Sequence, residues 1–318
     1  MSNTLSANLE STLAKGDPGD ETANRYRFQW IWAAVTCCKI LDSTLDVQEV
    51  FCEHHEDVLI KHIDGSFTGH QVKTRGDDQP PWKANDESVI SACARFVSLD
   101  DSYSGKFRGF SFLTNHVIHS TKNSQDIIHV LSSIKSADSI SDLHNSIAKW
   151  VKKVAKLACV DDEAAFKTLS KSKASAELPK LHDALMRLIN TIAQCWPPAK
   201  ELSHGAVVRA AQELVNECTR ASSLDHVQLL PAYVAESGND EDDVIAAIDG
   251  KRMTFSRIQR VLESGRDSYS ELIGDPSKII QPGGGSTELL HQKLDAGAFL
   301  WLQGTRQMTY VIRPIILE

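Results

Sequence analysis

The stretch that decides the fold is HEDVLIKHIDGSFTGHQVKTR, residues 55–75. Two runs rich in Val, Ile and Phe flank Asp64-Gly65, a pair typical of the turn in a β-hairpin. A carboxylate, an amide and an ammonium group stand in these runs, where apolar core residues are the rule. The stretch therefore predicts a β-hairpin that carries a polar site.

Strand register predicts which side chains share one face of this hairpin. If a three-residue loop follows Ile63, Asp57 lies opposite Lys73, and Gln71 shares their face because side chains alternate along a strand. Glu53 has the same parity and joins them if the first strand runs straight back. A slip of one residue would separate Asp57 from the other two.

These side chains predict a site for a divalent cation. Asp57 and the side-chain oxygen of Gln71 are hard ligands suited to Mg²⁺ or Mn²⁺, and Glu53 adds a second carboxylate. Lys73 could neutralise charge on a phosphate, and Arg75 extends the cationic face. The alternative is structural: an ion pair between Asp57 and Lys73 on a half-exposed hairpin.

The flanking segments predict an α/β core. Residues 25–45 are apolar almost all round, as in a buried helix. A helix is indicated over 85–99 and another strand over 106–116. The polar residues of the first helix form one narrow stripe, which consists of Arg25, Gln29, Thr36 and Lys39. This stripe either is a solvated edge or faces a polar site.

The amino-acid composition limits the functions and cellular locations that we expect for the protein. The chain has 318 residues, 42% of them hydrophobic, and a formal net charge of −8, so DNA contact requires a local basic patch on an acidic body. The seven cysteines form no CxxC pair, which favours reduced thiols. With no signal-peptide pattern and no long apolar run, we expect a cytoplasmic protein without membrane contact.

Beyond residue 116 helical patterns dominate, with Pro197-Pro198 and PGGGST (282–287) as breaks. Predicted helices include 241–249 and 286–303. Residues 244–265 have helix-turn-helix spacing around Gly250, which either is a plain helical hairpin or contacts DNA.

Four short motifs carry a resemblance to a known family. YRFQ (26–29), E-x2-ED (53–57), QVKTR (71–75) and the PW pair (81–82) resemble the double-stranded-DNA endonuclease domain of bacterial anti-phage effectors. That domain occurs in SAVED-bearing nucleases of cyclic-oligonucleotide (CBASS) defence and in systems paired with a HerA-type ATPase. It belongs to the PD-(D/E)xK superfamily. The resemblance thus implies an α/β restriction-endonuclease-like core over 25–116, followed by a mostly α-helical C-terminal region.

The resemblance also implies metal-dependent cleavage of double-stranded DNA, with Mg²⁺ (or Mn²⁺) as cofactor. Asp57 would be the central metal ligand, Gln71 the second ligand and Lys73 the catalytic lysine. Glu53 would be a further metal ligand, and Gln29 would line the site. The residues predicted to bind DNA are Arg75, Lys39 and Lys83.

The sequence departs from the superfamily pattern in two ways. No proline precedes the acidic residue, and Gln71 stands where the pattern has Asp or Glu. The amide removes one negative charge from the metal site, which should weaken metal affinity unless Glu53 or Glu56 compensates. Glu56 would itself be a ligand if the strand is bulged.

The family context predicts three segments: a flexible arm (1–24), a nuclease domain (25–220) and a helical region for assembly or partner binding (221–318). We read no SAVED-type α/β pattern after residue 220. Gating is therefore expected from a homo-oligomer or from a partner such as a HerA-type ATPase. The alternative function is an inactive, nuclease-like DNA-binding or scaffold subunit of such an ATPase complex.

Overall fold

The computed structural model describes residues 18–223 and 248–273, which contain one mixed six-stranded sheet. The strands are β1 (Glu49–His54), β2 (Glu56–Lys61), β3 (Phe67–Lys73), β4 (Phe107–Thr114), β5 (Ser172–Ser175) and β6 (Arg252–Met253). Their spatial order is β5-β4-β3-β2-β1-β6. The pairs β3–β4 and β4–β5 are parallel, whereas the other three are antiparallel.

Helices cover both faces of the sheet. Those with described bounds are α1 (Pro18–Cys37), α2 (Glu87–Ser102), α3 (Ile127–Ser136), α4 (Asn145–Ala158), α5 (Asp162–Ser170), α6 (Ala184–Cys195), α7 (His204–Ser223) and α8 (Phe255–Ile273). One apolar core lies between the sheet and α1, α6, α7 and α8, and a second lies between the sheet and α2 to α5. The coarse prediction of a sheet with helices followed by a helical region is confirmed.

Alternation along the strands divides the side chains between these two cores. Val58 and Ile60 of β2 belong to the core on the α1 side, whereas Leu59 belongs to the core on the α2 side. Because the central strands are buried on both faces, any polar side chain within them needs a partner or a function.

The chain divides into two compact units, residues 1–265 and 266–318. Within the described parts of the chain, no helix is both long and apolar enough to cross a bilayer.

The β2–β3 register differs from the predicted one by two residues. Val58 pairs with His70, because the connecting loop is longer than the three residues predicted. The next position along the ladder sets Asp57 against Gln71, so the predicted pairing of Asp57 with Lys73 is wrong. A shift of two residues preserves the alternation of side chains. Gln71 and Lys73 therefore still point to the same face.

The predicted order of helix, strands, helix and strand over the first 116 residues is confirmed, with different bounds. Helix α1 begins at Pro18, so residues 18–24 of the predicted flexible arm are helical. Residues 1–17 lie outside the described residues, as do 286–303 and most of 241–249, where helices were predicted.

The short strands β5 and β6 were not predicted. Lys173 of β5 extends the sheet beyond Ser111 of β4, and Arg252 of β6 pairs with Phe51 of β1. Residues 248–251 are helical, β6 follows and α8 begins at Phe255, so DNA contact by this segment stays a prediction. Strand β6 joins the sheet at the edge beside the polar hairpin.

Candidate active site

Asp57 lies where β2 and β3 separate, and its side chain replaces main-chain pairing. The paired part of the ladder ends at Val58. Beyond it, Asp57 Oδ2 accepts hydrogen bonds from Val72 N (2.7 Å), Gln29 Nε2 (3.1 Å) and Gln71 Nε2. The carboxylate thus satisfies a strand N–H that would otherwise lack a partner, and it links β2 to both β3 and α1.

Two glutamine side chains fix this carboxylate. Gln71 is buried on β3, and Gln29 is half-buried on α1, where its Nε2 also lies 3.3 Å from the carbonyl oxygen of Val72. Rotating the Gln71 amide by 180° places its oxygen where the nitrogen now lies, beside Asp57. With a cation between the strands, two oxygen ligands would then face it.

Glu53 lies near the end of β1, beside the tight connection to β2. His54 pairs with Glu56, and both Glu53 (φ 49°) and His55 (φ 62°) have left-handed backbone conformations that are rare for residues other than glycine. The register sets Glu53 at the level of Asp57. Burial and, to a smaller extent, the negative charge of Asp57 together raise the pKa of Glu53 to about 7.

Glu56 is the buried acid of the site. Its carboxylate oxygens are inaccessible and accept no hydrogen bond. Arg95 Nε lies 3.3 Å from Oε1 but donates to the carbonyl oxygen of His55 at 2.9 Å. Burial raises the pKa of Glu56 to about 8. A Cβ on Gly69 would lie 3.0 Å from Glu56 Cγ, so the absence of a side chain there makes room for this acid.

The charges of the site act on one another. Burial raises the pKa of Asp57, and the Val72 N–H, the Lys73 charge and the Gln71 amide all oppose that rise. Lys73 also lowers the pKa of Glu56, whereas Asp57 and Glu53 raise it. Three carboxyl groups and one ammonium group thus lie within mutual electrostatic range.

Lys73 opens onto a cavity of about 470 Å³. The side of α1, the end of β3 and the loop after it form its walls. Its lining residues are Thr22, Arg25, Tyr26, Gln29, Val72, Lys73, Thr74, Arg75, Gln79, Trp82 and Ser88. The polar stripe predicted on α1 therefore faces this site in part, through Arg25 and Gln29.

Arg75 holds the loop after β3 together. Its guanidinium group donates to the carbonyl oxygen of Pro80 (2.7 Å) and to Asp86 Oδ2 (3.0 Å). It also lies over the Trp82 ring, with 3.4 Å from Cζ to the ring centroid. Trp82 in turn donates to Thr114 Oγ1 at 2.8 Å. These contacts occupy the guanidinium group that the sequence assigned to DNA.

The other predicted DNA-binding residues lie apart from one another. Lys83 is exposed in the same loop as Trp82. Lys39 follows α1 at its far end, where burial and the charges of Lys173 and Arg187 lower its pKa. Lys83 thus lies near the cavity, whereas Lys39 belongs to a separate basic cluster.

The carboxylate of Asp57, the Gln71 amide after rotation and the Glu53 carboxylate would offer oxygen ligands to a hard divalent cation. No three His, Cys, Asp or Glu side chains in residues 18–223 and 248–273 converge closely enough to enclose a metal ion by themselves. Mg²⁺ commonly takes one or two carboxylates and completes its shell with water and phosphate oxygens. Asp57 with Gln71 and Glu53 matches that pattern, and Mg²⁺ stays a prediction.

Sequence reasoning did not find two cations near the site. Arg95 of α2 contacts the β1–β2 connection, and Lys251 donates from its Nζ to the carbonyl oxygen of Glu53 at 2.8 Å. Both come from distant parts of the chain, and neither belongs to a short motif. Only the burial of the β1–β2 connection, which a sequence does not reveal, would have indicated them.

A larger cavity of about 600 Å³ lies between α7, β6 and α8. Two of its arginines pair with one acid: Arg257 Nε lies 2.8 Å from Glu217 Oε1, and Arg220 lies 2.9 Å from Glu217 Oε2. The first of these ion pairs connects α7 to α8, and Arg257 also donates to the carbonyl oxygens of Gly250 and Arg252 beside β6. The cavity holds no grouping of acid, amide and lysine like that around Asp57.

A family model described as the Cap4 dsDNA endonuclease domain matches residues 17–222. The chain belongs to this family. The match includes α1 and the whole β1–β3 region, which confirms the resemblance read from the four motifs. A Cap4 endonuclease domain is a nuclease domain, and nucleases are hydrolases. The matched range ends before β6 and α8.

Solved structures with a similar fold are also Cap4 proteins. The Acinetobacter baumannii Cap4 SAVED/CARF-domain containing receptor matches at 13% identity and a TM-score of 0.44, over 81% of this chain and 49% of that one. The Moraxella osloensis receptor of the same description matches at 14% identity and 0.39, over 62% and 43%. This chain thus spans about half the length of these structures. No curated protein matches.

Proposed function

We propose that the protein is a metal-dependent double-stranded-DNA endonuclease of the PD-(D/E)xK type. One observation carries the proposal: Asp57, Gln71 and Lys73 come together at the end of the β2–β3 ladder, beside an open cavity. Membership of the Cap4 endonuclease family supports DNA as the substrate.

The side chains divide the work of phosphodiester hydrolysis. Asp57, Gln71 and Glu53 would hold Mg²⁺ or Mn²⁺, and the chemistry that the ion supplies when bound is Lewis-acid polarisation of the scissile phosphate. Lys73 places a positive charge beside the phosphate, where negative charge grows as a water oxygen bonds to phosphorus and the ester bond breaks. Gln29 keeps the Asp57 carboxylate in place.

Glu53 has a specific task in this arrangement. A ligand set of Asp57 and Gln71 carries one negative charge fewer than two carboxylates would. Glu53 restores that charge, since a bound cation favours its ionised form over the neutral form that burial favours. Glu56, whose oxygens accept no hydrogen bond, would add a further negative charge beneath the site on ionisation.

The role of the whole protein is a separate proposal. We infer action in the cytoplasm in anti-phage defence, on the basis of family membership. An assembly role for residues 221–318 stays a prediction, although β6 of this range pairs with β1 in the sheet. Gating by a homo-oligomer or by a HerA-type ATPase would keep such a nuclease from cutting host DNA.

One observation favours an inactive alternative. Gln71 presents its Nε2 to Asp57, so an N–H group occupies the place of a second ligand oxygen. If that arrangement persists in the presence of metal, the protein would serve as a nuclease-like DNA-binding or scaffold subunit of an ATPase complex.

Plasmid cleavage distinguishes the two functions. The wild-type protein, Lys73→Ala and Asp57→Asn are incubated with plasmid in Mg²⁺, Mn²⁺ or EDTA, with and without a HerA-type partner. We expect metal-dependent cleavage that Lys73→Ala slows by about 10²–10³-fold. Exposed Lys152→Ala, on the outer face of α4, is the control. If the wild-type protein leaves the plasmid intact under every condition, the proposed endonuclease activity is refuted.

A further inference from the structure

We propose that Lys251 is a positioning residue for the metal site and that β6 completes this site. The inference rests on the proposed nuclease function and deepens it. Lys251 lies outside residues 17–222, which match the endonuclease family. A segment distant in sequence would thus set the position of Glu53.

The contact begins with strand pairing at the edge of the sheet. Strand β6 pairs with β1 through Met253 opposite Val50 and Arg252 opposite Phe51. This register brings Lys251 to the end of β1. There its Nζ donates to the carbonyl oxygen of Glu53 at 2.8 Å, across 198 residues of sequence.

The carbonyl that receives this bond belongs to a strained residue. A left-handed conformation is unfavourable for a residue with a side chain, so surrounding contacts have to hold it. Lys251 holds the Glu53 carbonyl, and Arg95 holds that of His55 at 2.9 Å. Two cations from opposite sides of the sheet therefore fix the connection that directs Glu53 towards Asp57.

The segment around Lys251 is itself firmly held. Arg257 of α8 donates to the carbonyl oxygens of Gly250 (2.9 Å) and Arg252 (2.8 Å) and pairs with Glu217 of α7. The main chain on both sides of Lys251 is thus anchored to two helices. An anchored ammonium group can position a partner, whereas an exposed lysine would lose that precision to side-chain entropy.

The bond from Lys251 goes to the main chain of Glu53 and not to its carboxylate. Removing Lys251 should weaken the site for a cation without removing any ligand.

The test measures Mn²⁺ binding by calorimetry on the full chain without DNA, together with plasmid cleavage at varied Mg²⁺. We expect Lys251→Met to weaken Mn²⁺ binding by about tenfold, a loss typical of residues that orient metal ligands. The Mg²⁺ concentration for half-maximal cleavage should rise in parallel. Lys251→Arg, which keeps a cationic donor, should bind Mn²⁺ within about threefold of wild type.

The matched control is Lys61→Met. Lys61 pairs with Glu49 at 3.1 Å on the same hairpin, at the end away from the site. It should change Mn²⁺ binding little. If Lys251→Met fails to fold, Lys251→Gln replaces it and should show the same loss.

Unchanged Mn²⁺ binding in Lys251→Met would overturn the inference, as would an equal loss in Lys251→Arg. The two proposals fail in different ways. Wild-type protein that binds Mn²⁺ but cleaves no DNA refutes the nuclease function, while the binding comparison still decides the role of Lys251. Cleavage lost in Lys73→Ala with normal binding in Lys251→Met refutes only the positioning role.

Discussion

Replacing Arg75 with lysine separates two roles, contact with DNA and stabilisation of the loop after β3. Both side chains are cationic, so a contact with a phosphate survives the change as an interaction between point charges. Only arginine has a planar fork of donors that reaches Pro80 O (2.7 Å) and Asp86 Oδ2 (3.0 Å) together. Its stacking on Trp82 likewise depends on the flat guanidinium group.

The expected change in the free energy of unfolding depends on which of these contacts a lysine side chain retains. Hydrogen bonds that involve a charged group contribute about 1.5–3 kcal/mol each, and a cation–π contact contributes about 0.5–2 kcal/mol. The side chains of Arg75 and Asp86 are only 17% and 28% exposed, so solvent screening is incomplete. Lysine retains one of the two bonds and little of the stacking. We expect Arg75→Lys to lower the free energy of unfolding by about 2 kcal/mol.

Two measurements test this reasoning. Urea denaturation gives the free energy of unfolding, and fluorescence anisotropy of a labelled duplex in EDTA gives DNA affinity at several salt concentrations. Exposed Lys83→Met is the comparison: it should change the free energy of unfolding by less than about 0.5 kcal/mol and, as a DNA contact, reduce the salt slope by about 1. Arg75→Lys with wild-type stability and tenfold weaker DNA binding would refute the structural role.

Three further predictions concern the fold. Gly265→Ala should lower the free energy of unfolding by about 1–3 kcal/mol in urea, although alanine favours helices, because the new Cβ would lie 2.6 Å from Ala210 Cα; a stabilised variant would contradict that contact. Trp82→Phe should cost about 1–2 kcal/mol through its lost hydrogen bond, as measured by the same denaturation, with no cost if that bond is unimportant. Alkylation with iodoacetamide followed by mass spectrometry should label exposed Cys159 quickly in the native protein and Cys93, whose pKa burial raises to about 12, only after unfolding; equal labelling would argue against the buried position.

The residues that share the face of the site could be predicted from the sequence. Side chains alternate along a strand, so a register error of an even number of residues leaves them on the same face. The loop between β2 and β3 is longer than predicted, which moved the register by two residues. Gln71 and Lys73 nevertheless stayed on one face. The hydrogen bond between Gln71 and Asp57 was not predictable, because it depends on where the two strands separate.

Long-range contacts account for most of what the sequence did not reveal. The burial of Glu56 depends on the space above Gly69, and the strain at Glu53 depends on a cation almost 200 residues away. Arg75 follows the QVK motif directly and was assigned to DNA, yet its partners lie in the following loop. The local sequence pattern indicates which residues are polar, but it does not indicate which groups in the folded protein they contact.

The pairing of β6 with β1 also affects how the protein is made. A chain leaves the ribosome from its N-terminus, and Lys251 follows Glu53 by 198 residues. At about 5–20 residues per second, the outer edge of β1 stays unpaired for roughly 10–40 s after its synthesis. During that interval the nascent sheet has an open edge prone to association with other chains, and β6 closes that edge. The sheet is therefore complete only after the segment around Lys251 has been synthesised.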